Sequence, residues 1–281
     1  MSNRIGTDPV AGAGQPGLAR DRAASADGTV MLQAVPSRAV VVALSVAGAF
    51  VLIGLLTAVL PNRAAQILLD RGSTIFPYPF TIQNLMHVLF GVGLGEIFMR
   101  WSVARRELRF ASMGLLPEDT ATVLQSNDLG AIRQRVTTAF DDEHGFLPYL
   151  ISLCILQFHA SRSVDQTVSV MNSSLELIAH RVDLRYTILR YISWVIPTIG
   201  FIGTVVGISA TLTLADFENR PNMGELTRTL AVAFDTTLVA LALSAVLVLL
   251  HMSVQKIEEQ SVNKAGDYCL RNLINRLYTG K

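Results

Sequence analysis

The sequence predicts an all-α integral membrane protein with four transmembrane helices and long cytoplasmic helical extensions, and three observations predict it. The 281 residues are 51% hydrophobic and only 16% charged, with a mean hydropathy of +0.42. Soluble domains carry roughly 25% charged residues. The apolar residues gather into four runs instead of spreading evenly. The polar segments beside those runs keep helical apolar spacing.

Residues 39–60 and 191–214 contain no charge at all. Each run reaches the roughly 20 residues that cross about 30 Å of hydrocarbon. Residues 230–252 form another run, interrupted only by Asp235 and His251. The span at 80–99 is weaker, because it carries Gln83, Asn84, His87 and Glu96. Residues 37–101 therefore read as a first membrane hairpin and 191–252 as a second. Residues 1–36 precede the first run as a polar, Gly/Ala/Pro-rich leader, expected to be disordered and cytoplasmic. The run that follows is too long for a secretory h-region.

Basic residues set the expected orientation. Arg4, Arg20, Arg22 and Arg38 lie before the first span, and Arg100, Arg105, Arg106 and Arg109 crowd the end of the second. The connections after the first and third spans hold only Arg63, Arg71, Arg220 and Arg228. The positive-inside rule then places both termini and residues 102–190 in the cytoplasm. Trp101 and Trp194 fall near the expected interfaces, where aromatic belts form. Cys154 and Cys269 lie far apart in segments placed in a reducing compartment, so free thiols are expected. No cysteine or histidine spacing indicates a metal, and no grouping indicates an enzyme or a cofactor. A net charge of +1 gives no reason to expect a nucleic-acid partner.

Residues 117–140 read as one or two short helices with a glycine break. The chain from about Leu147 to Pro197 reads as one long helix entering the third span. Its apolar residues recur at Val164, Val168, Met171, Leu175, Ile178 and Val182. Residues 253–281 repeat the pattern with Val254, Ile257, Val262, Leu270 and Leu273, so the fourth span is expected to continue as an amphipathic cytoplasmic helix.

The last two spans carry the most information. In the third, Gly200, Thr204, Gly207 and Thr211 share one helical face, with Gly203 and Ala210 beside them. In the fourth, Thr229, Ala233, Thr236 or Thr237, Ala240 and Ser244 form a comparable stripe. Small residues let helices approach closely where lipid supplies no hydrophobic drive. Pro197 removes one backbone hydrogen bond and can kink the third span. By spacing alone, these stripes describe a helix-packing surface.

The residues themselves say more. GFIGTVVGI, residues 200–208, and AVAFDTTLVALALSAV, residues 231–246, resemble consecutive pore helices of the MotA/TolQ/ExbB family. Four spans with a hairpin before the cytoplasmic segment resemble MotA more than three-span ExbB or TolQ. The resemblance implies a ring, of five copies, around two copies of a single-span MotB/TolR/ExbD-type partner in the bilayer. Proton flow at that interface would be converted into mechanical work. Thr204 and Thr237 match the family's pore threonines, and Pro197 resembles the proline that opens the corresponding MotA helix. Thr236, Gly200, Gly207, Thr211 and Ser244 complete the implied ion path.

Two family residues are missing. Val232 stands where ExbB has a glutamate, and Val246 where the family has a proline. Asp235 supplies a carboxylate three residues away, about 160° around the helix from Thr237, so it is expected to face a neighbouring span or subunit. An intramembrane acid is a functional candidate by default, or else a structural partner of Arg228 or a hydroxyl. Glu96 is expected to pair with Arg100 at i+4, and His251 to lie at the inner interface. The competing readings are a polytopic channel or carrier for a small solute and a non-conducting membrane scaffold.

Overall fold

The computed structural model describes residues 37–71, 76–119, 123–139, 145–214 and 223–278. The leader 1–36 and most of the connection between the last two spans lie outside them. Among the described residues the chain is helical and has no strands, and four helices are long and apolar enough to cross a membrane.

The first hairpin is α1, Arg38–Val59, against α3, Ile82–Phe110. Their contact uses small side chains: a Cβ added at Gly91 would come 2.9 Å from that of Ala49. Between them, in the connection after the first span, lies a short helix, α2, Asn62–Leu69. Pro61 precedes it and Asp70, at φ 49°, ends it. It buries Ala65 and Leu69. Thr81 ties it to the next element, donating to the Leu69 carbonyl at 2.9 Å and accepting from Asn84 N at 3.3 Å to cap α3.

The second membrane hairpin is α7, Thr187–Leu214, against α8, Met223–Asn272. At 1.5 Å per residue the 50 residues of α8 extend about 75 Å, more than twice the hydrocarbon thickness. Its second half, with the end of α3, therefore projects from the membrane. There it meets α5, Phe146–Ser161, and α6, Val164–Arg185, while α4, Ser126–Ala139, packs on α5. Leu129, Leu147, Leu150, Ile151, Ile155 and Phe158 form the centre of this bundle, with Cys154 and Cys269 as buried free thiols. Burial pushes the Cys154 thiol up to about 12. The chain closes with a 3₁₀ turn, Ile274–Arg276. Arg276 donates there to the carbonyls of Pro117, Glu118 and Asp119.

One expectation needs correction. The segment from Leu147 to Pro197 is three helices, not one. Arg162 adopts a left-handed φ of 52° and ends α5. Ser163 then caps α6 by accepting from Gln166 N at 3.3 Å, with Asp165 in the first turn. The capping residues outweigh the apolar spacing that runs through them. From α6 to α7 only Tyr186 breaks the helix. It is fully buried and donates to Glu258 Oε2 of α8 at 2.6 Å.

The start of α5 is fixed from a distance. Gly145 gives it no side-chain cap, and Glu107 on α3 accepts from Phe146 N at 2.7 Å instead. Glu107 lies about 12 Å beyond Met99 along the helix, outside the membrane span. Burial raises its pKa to about 7, against the opposing pull of the Phe146 amide and Arg106.

Candidate functional site in the second membrane hairpin

The glycines predicted from spacing are covered by α8 of the same chain. A Cβ at Gly200 would collide with Ala240, and one at Gly203 with Thr236. At Gly207 the added atom would sit 2.6 Å from the Cβ of Ala233, closer than real side chains allow. The stripe thus brings two backbones together, as small residues do between membrane helices. Once they are that close, side-chain hydroxyls reach across to the opposite backbone.

Thr204 and Thr237 do so. Thr204 Oγ1 donates within reach of the Ala233 carbonyl at 2.9 Å and the Gly200 carbonyl at 3.3 Å, and it hydrogen-bonds Thr237 Oγ1. Thr237 Oγ1 in turn reaches the Gly200 carbonyl at 3.2 Å. Both threonines are half-buried at the margin of the interface. The pair is a hydroxyl bridge in the middle of an apolar hairpin.

The other predicted residues divide among different surroundings. Thr236 is buried and turns to α3, where it accepts from Gln83 Nε2 at 3.1 Å while donating to the Val232 carbonyl at 2.7 Å. In the sequence Gln83 is one of the polar residues that make its span weak. An amide in hydrocarbon needs a partner, and that cost was the available signal. Thr211 bonds the Gly207 carbonyl of its own helix at 2.8 Å.

Ser244 has a more specific role. Pro197 lies inside α7 and has no N–H for the carbonyl of Ser193 one turn earlier. Ser244 Oγ donates to that carbonyl at 3.0 Å. The proline on one helix and the serine on the other therefore work as a pair.

Asp235 is half-exposed and has no hydrogen-bond or ion-pair partner among the described residues. With Arg63, Gln66, Asp70 and Arg228 it lines a hollow of about 270 Å³ between α2 and α8. It thus faces α2 and lies away from the threonine bridge. Glu96 does not pair with Arg100. It meets Arg38 of α1 at 2.8 Å and joins the two helices of the first hairpin. His251 is buried, stacks on Tyr186 at 5.5 Å between ring centroids, and lies 3.1 Å from Gln255.

Residues 149–265 match the family described as the MotA/TolQ/ExbB proton channel family. That segment contains α6, α7, most of α5 and most of α8, with the threonine bridge inside it. No curated protein and no solved structure matches the chain.

Proposed function

From the match of residues 149–265 to the MotA/TolQ/ExbB proton channel family, we propose that this chain is an ion-conducting subunit of a membrane motor. Five copies form a ring in a bacterial inner membrane, with both termini in the cytoplasm. The ring encloses two copies of a single-span MotB/TolR/ExbD-like partner and turns proton flow into mechanical work. The observation that carries this reading is the Thr204–Thr237 bridge at the margin of the α7–α8 interface. It offers hydroxyls to a neighbouring chain at mid-membrane height, while the rest of the stripe is used for packing.

In this reading the proton-carrying carboxylate belongs to the partner. The subunit supplies a polar sleeve of Thr204, Thr237 and their carbonyls. Gly200 and Gly207 act by holding α7 against α8, Thr236 and Thr211 by satisfying the backbone beside the path, and Pro197 with Ser244 by shaping its inner end. Asp235 on the α2 side is reserved for contact within or between subunits.

Co-expression with a single-span MotB/TolR/ExbD-like protein, followed by proton-flux measurement in proteoliposomes, tests the proposal. Flux is expected only with the partner present, and Thr204→Val with Thr237→Val is expected to remove it while the complex still copurifies. Undiminished flux in that variant would refute the role of the bridge. Absence of flux with the copurified partner would favour a scaffold, the reading supported by the coverage of Gly200, Gly203 and Gly207 within one chain.

A further inference from the structure

A further cavity lies outside the second hairpin's interface. It has a volume of about 760 Å³ and is walled by α3, α4, α5 and α6. Five guanidinium groups line it, those of Arg100, Arg106, Arg133, Arg181 and Arg185, against one lining carboxylate, Glu107. Among the described residues, carboxylates satisfy only part of this charge. Arg106 meets Glu107 at 3.3 Å, and Arg185 meets Glu258 at 3.3 Å. Arg133 has the Ser152 hydroxyl at 3.4 Å and no carboxylate among the described residues. The Nε of Arg100 is buried with no hydrogen-bond partner among the described residues.

So many cations gathered around an open volume repel one another unless an anion joins them. Guanidinium forks match the oxygens of a phosphate group in geometry as well as charge. We propose that this cavity binds a phosphate group, held by Arg100 and Arg181 with Arg106, Arg133 and Arg185 around them. Burial keeps Glu107 close to half-protonated near neutral pH, so it offsets the arginines only in part.

Two further observations favour a phospholipid headgroup as the source of the phosphate. The other wall is apolar, with Tyr149, Leu153, Leu156 and Ile178 available to an acyl chain or glycerol backbone. Trp101, stacked under Arg105 at 3.7 Å, follows Arg100 directly in the chain. A tryptophan at the end of a span marks the membrane interface, so the cavity opens at headgroup height.

The test uses the full-length protein in detergent micelles, with short-chain phosphatidylglycerol, short-chain phosphatidylcholine or inorganic phosphate titrated in turn. Binding is read by native mass spectrometry and by thermal unfolding. Phosphatidylglycerol is expected to bind, and Arg100→Gln and Arg181→Gln are each expected to weaken that binding about tenfold. Arg271→Gln removes an exposed cation of the tail and is expected to change nothing. Binding of inorganic phosphate with the same dependence on Arg100 and Arg181, and without preference for the lipid, would make free phosphate the ligand and keep the site. Binding of neither probe, or equal weakening by Arg271→Gln, would overturn the proposal. Arg181 is exposed, so its variant keeps the test decisive even where Arg100→Gln fails to fold.

Discussion

Glu107 shows how much one side chain can couple. It caps α5 from α3, pairs with Arg106 and borders the arginine cavity. Its folded pKa of about 7 stands above the ordinary value of 4.5, because burial disfavours the charged form. The native state therefore holds the proton more tightly than the unfolded state between these values. Stability should fall as pH rises from about 4.5 to about 7 and then level off, a loss of about 3 kcal/mol from this group. Glu107→Gln keeps an acceptor for Phe146 N and removes the titration. Its unfolding midpoint should vary less than wild type across that window and be higher above pH 7. A variant that retained the full slope would show that another group sets it. The threonine bridge makes a second residue-scale prediction. Thr204→Ser retains the hydroxyl and should conserve partner-dependent proton flux within about twofold, whereas Thr204→Val should lower it by more than about tenfold, since an apolar group cannot donate to the Ala233 carbonyl. Equal flux in the two variants would assign Thr204 to packing alone.

At the scale of the helix, α7 and α8 are matched by both shape and hydrogen bonding. Ser244→Ala would leave the Ser193 carbonyl, freed by Pro197, without a donor in an apolar setting, at a cost of about 1–3 kcal/mol. Pro197→Ala restores a backbone N–H, so the double variant should recover most of the loss. A double-mutant cycle on thermal unfolding measures this coupling, and strict additivity would contradict it. Close approach gives a parallel expectation. Gly207→Val should destabilise the hairpin by more than about 2 kcal/mol through the clash with Ala233, while Gly54→Ala meets open space and should be neutral or slightly stabilising. The facing stripes that make these contacts were legible in the sequence, because 3.6-residue periodicity places small residues on one face. The partners that come from distant positions were not. Nothing in local spacing indicates that Glu96 takes Arg38, that Thr236 takes Gln83, or that Glu107 caps α5. The break at Arg162 was encoded in Ser163, Asp165 and Gln166, but the continuous apolar spacing masked it.

Across the whole molecule, the membrane hairpin and the extramembrane bundle share two nearly unbroken helical rods. One is α8, and the other is α6 with α7, interrupted only at Tyr186. The rods are joined where Tyr186 and Arg185 meet the fully buried Glu258, with His251 stacked on the tyrosine ring. The low polarity there raises the Tyr186 phenol above its ordinary range, with Glu258 adding to the effect. The neutral hydroxyl thus stays a donor to the carboxylate. A buried carboxylate deprived of one donor is costly, so Tyr186→Phe should destabilise the junction by about 1.5–3 kcal/mol. If the junction connects the two halves mechanically, hydrogen exchange should quicken on both sides of it. That means the end of α6 together with the start of α7, and α8 on each side of Glu258. The α1–α3 contact around Gly91 should keep its protection, because it shares no hydrogen bond with the junction. Faster exchange confined to the turn at Tyr186 would mean that the rods merely touch there. Faster exchange in both rods would identify the junction as the place where movement of α7 and α8 reaches the bundle.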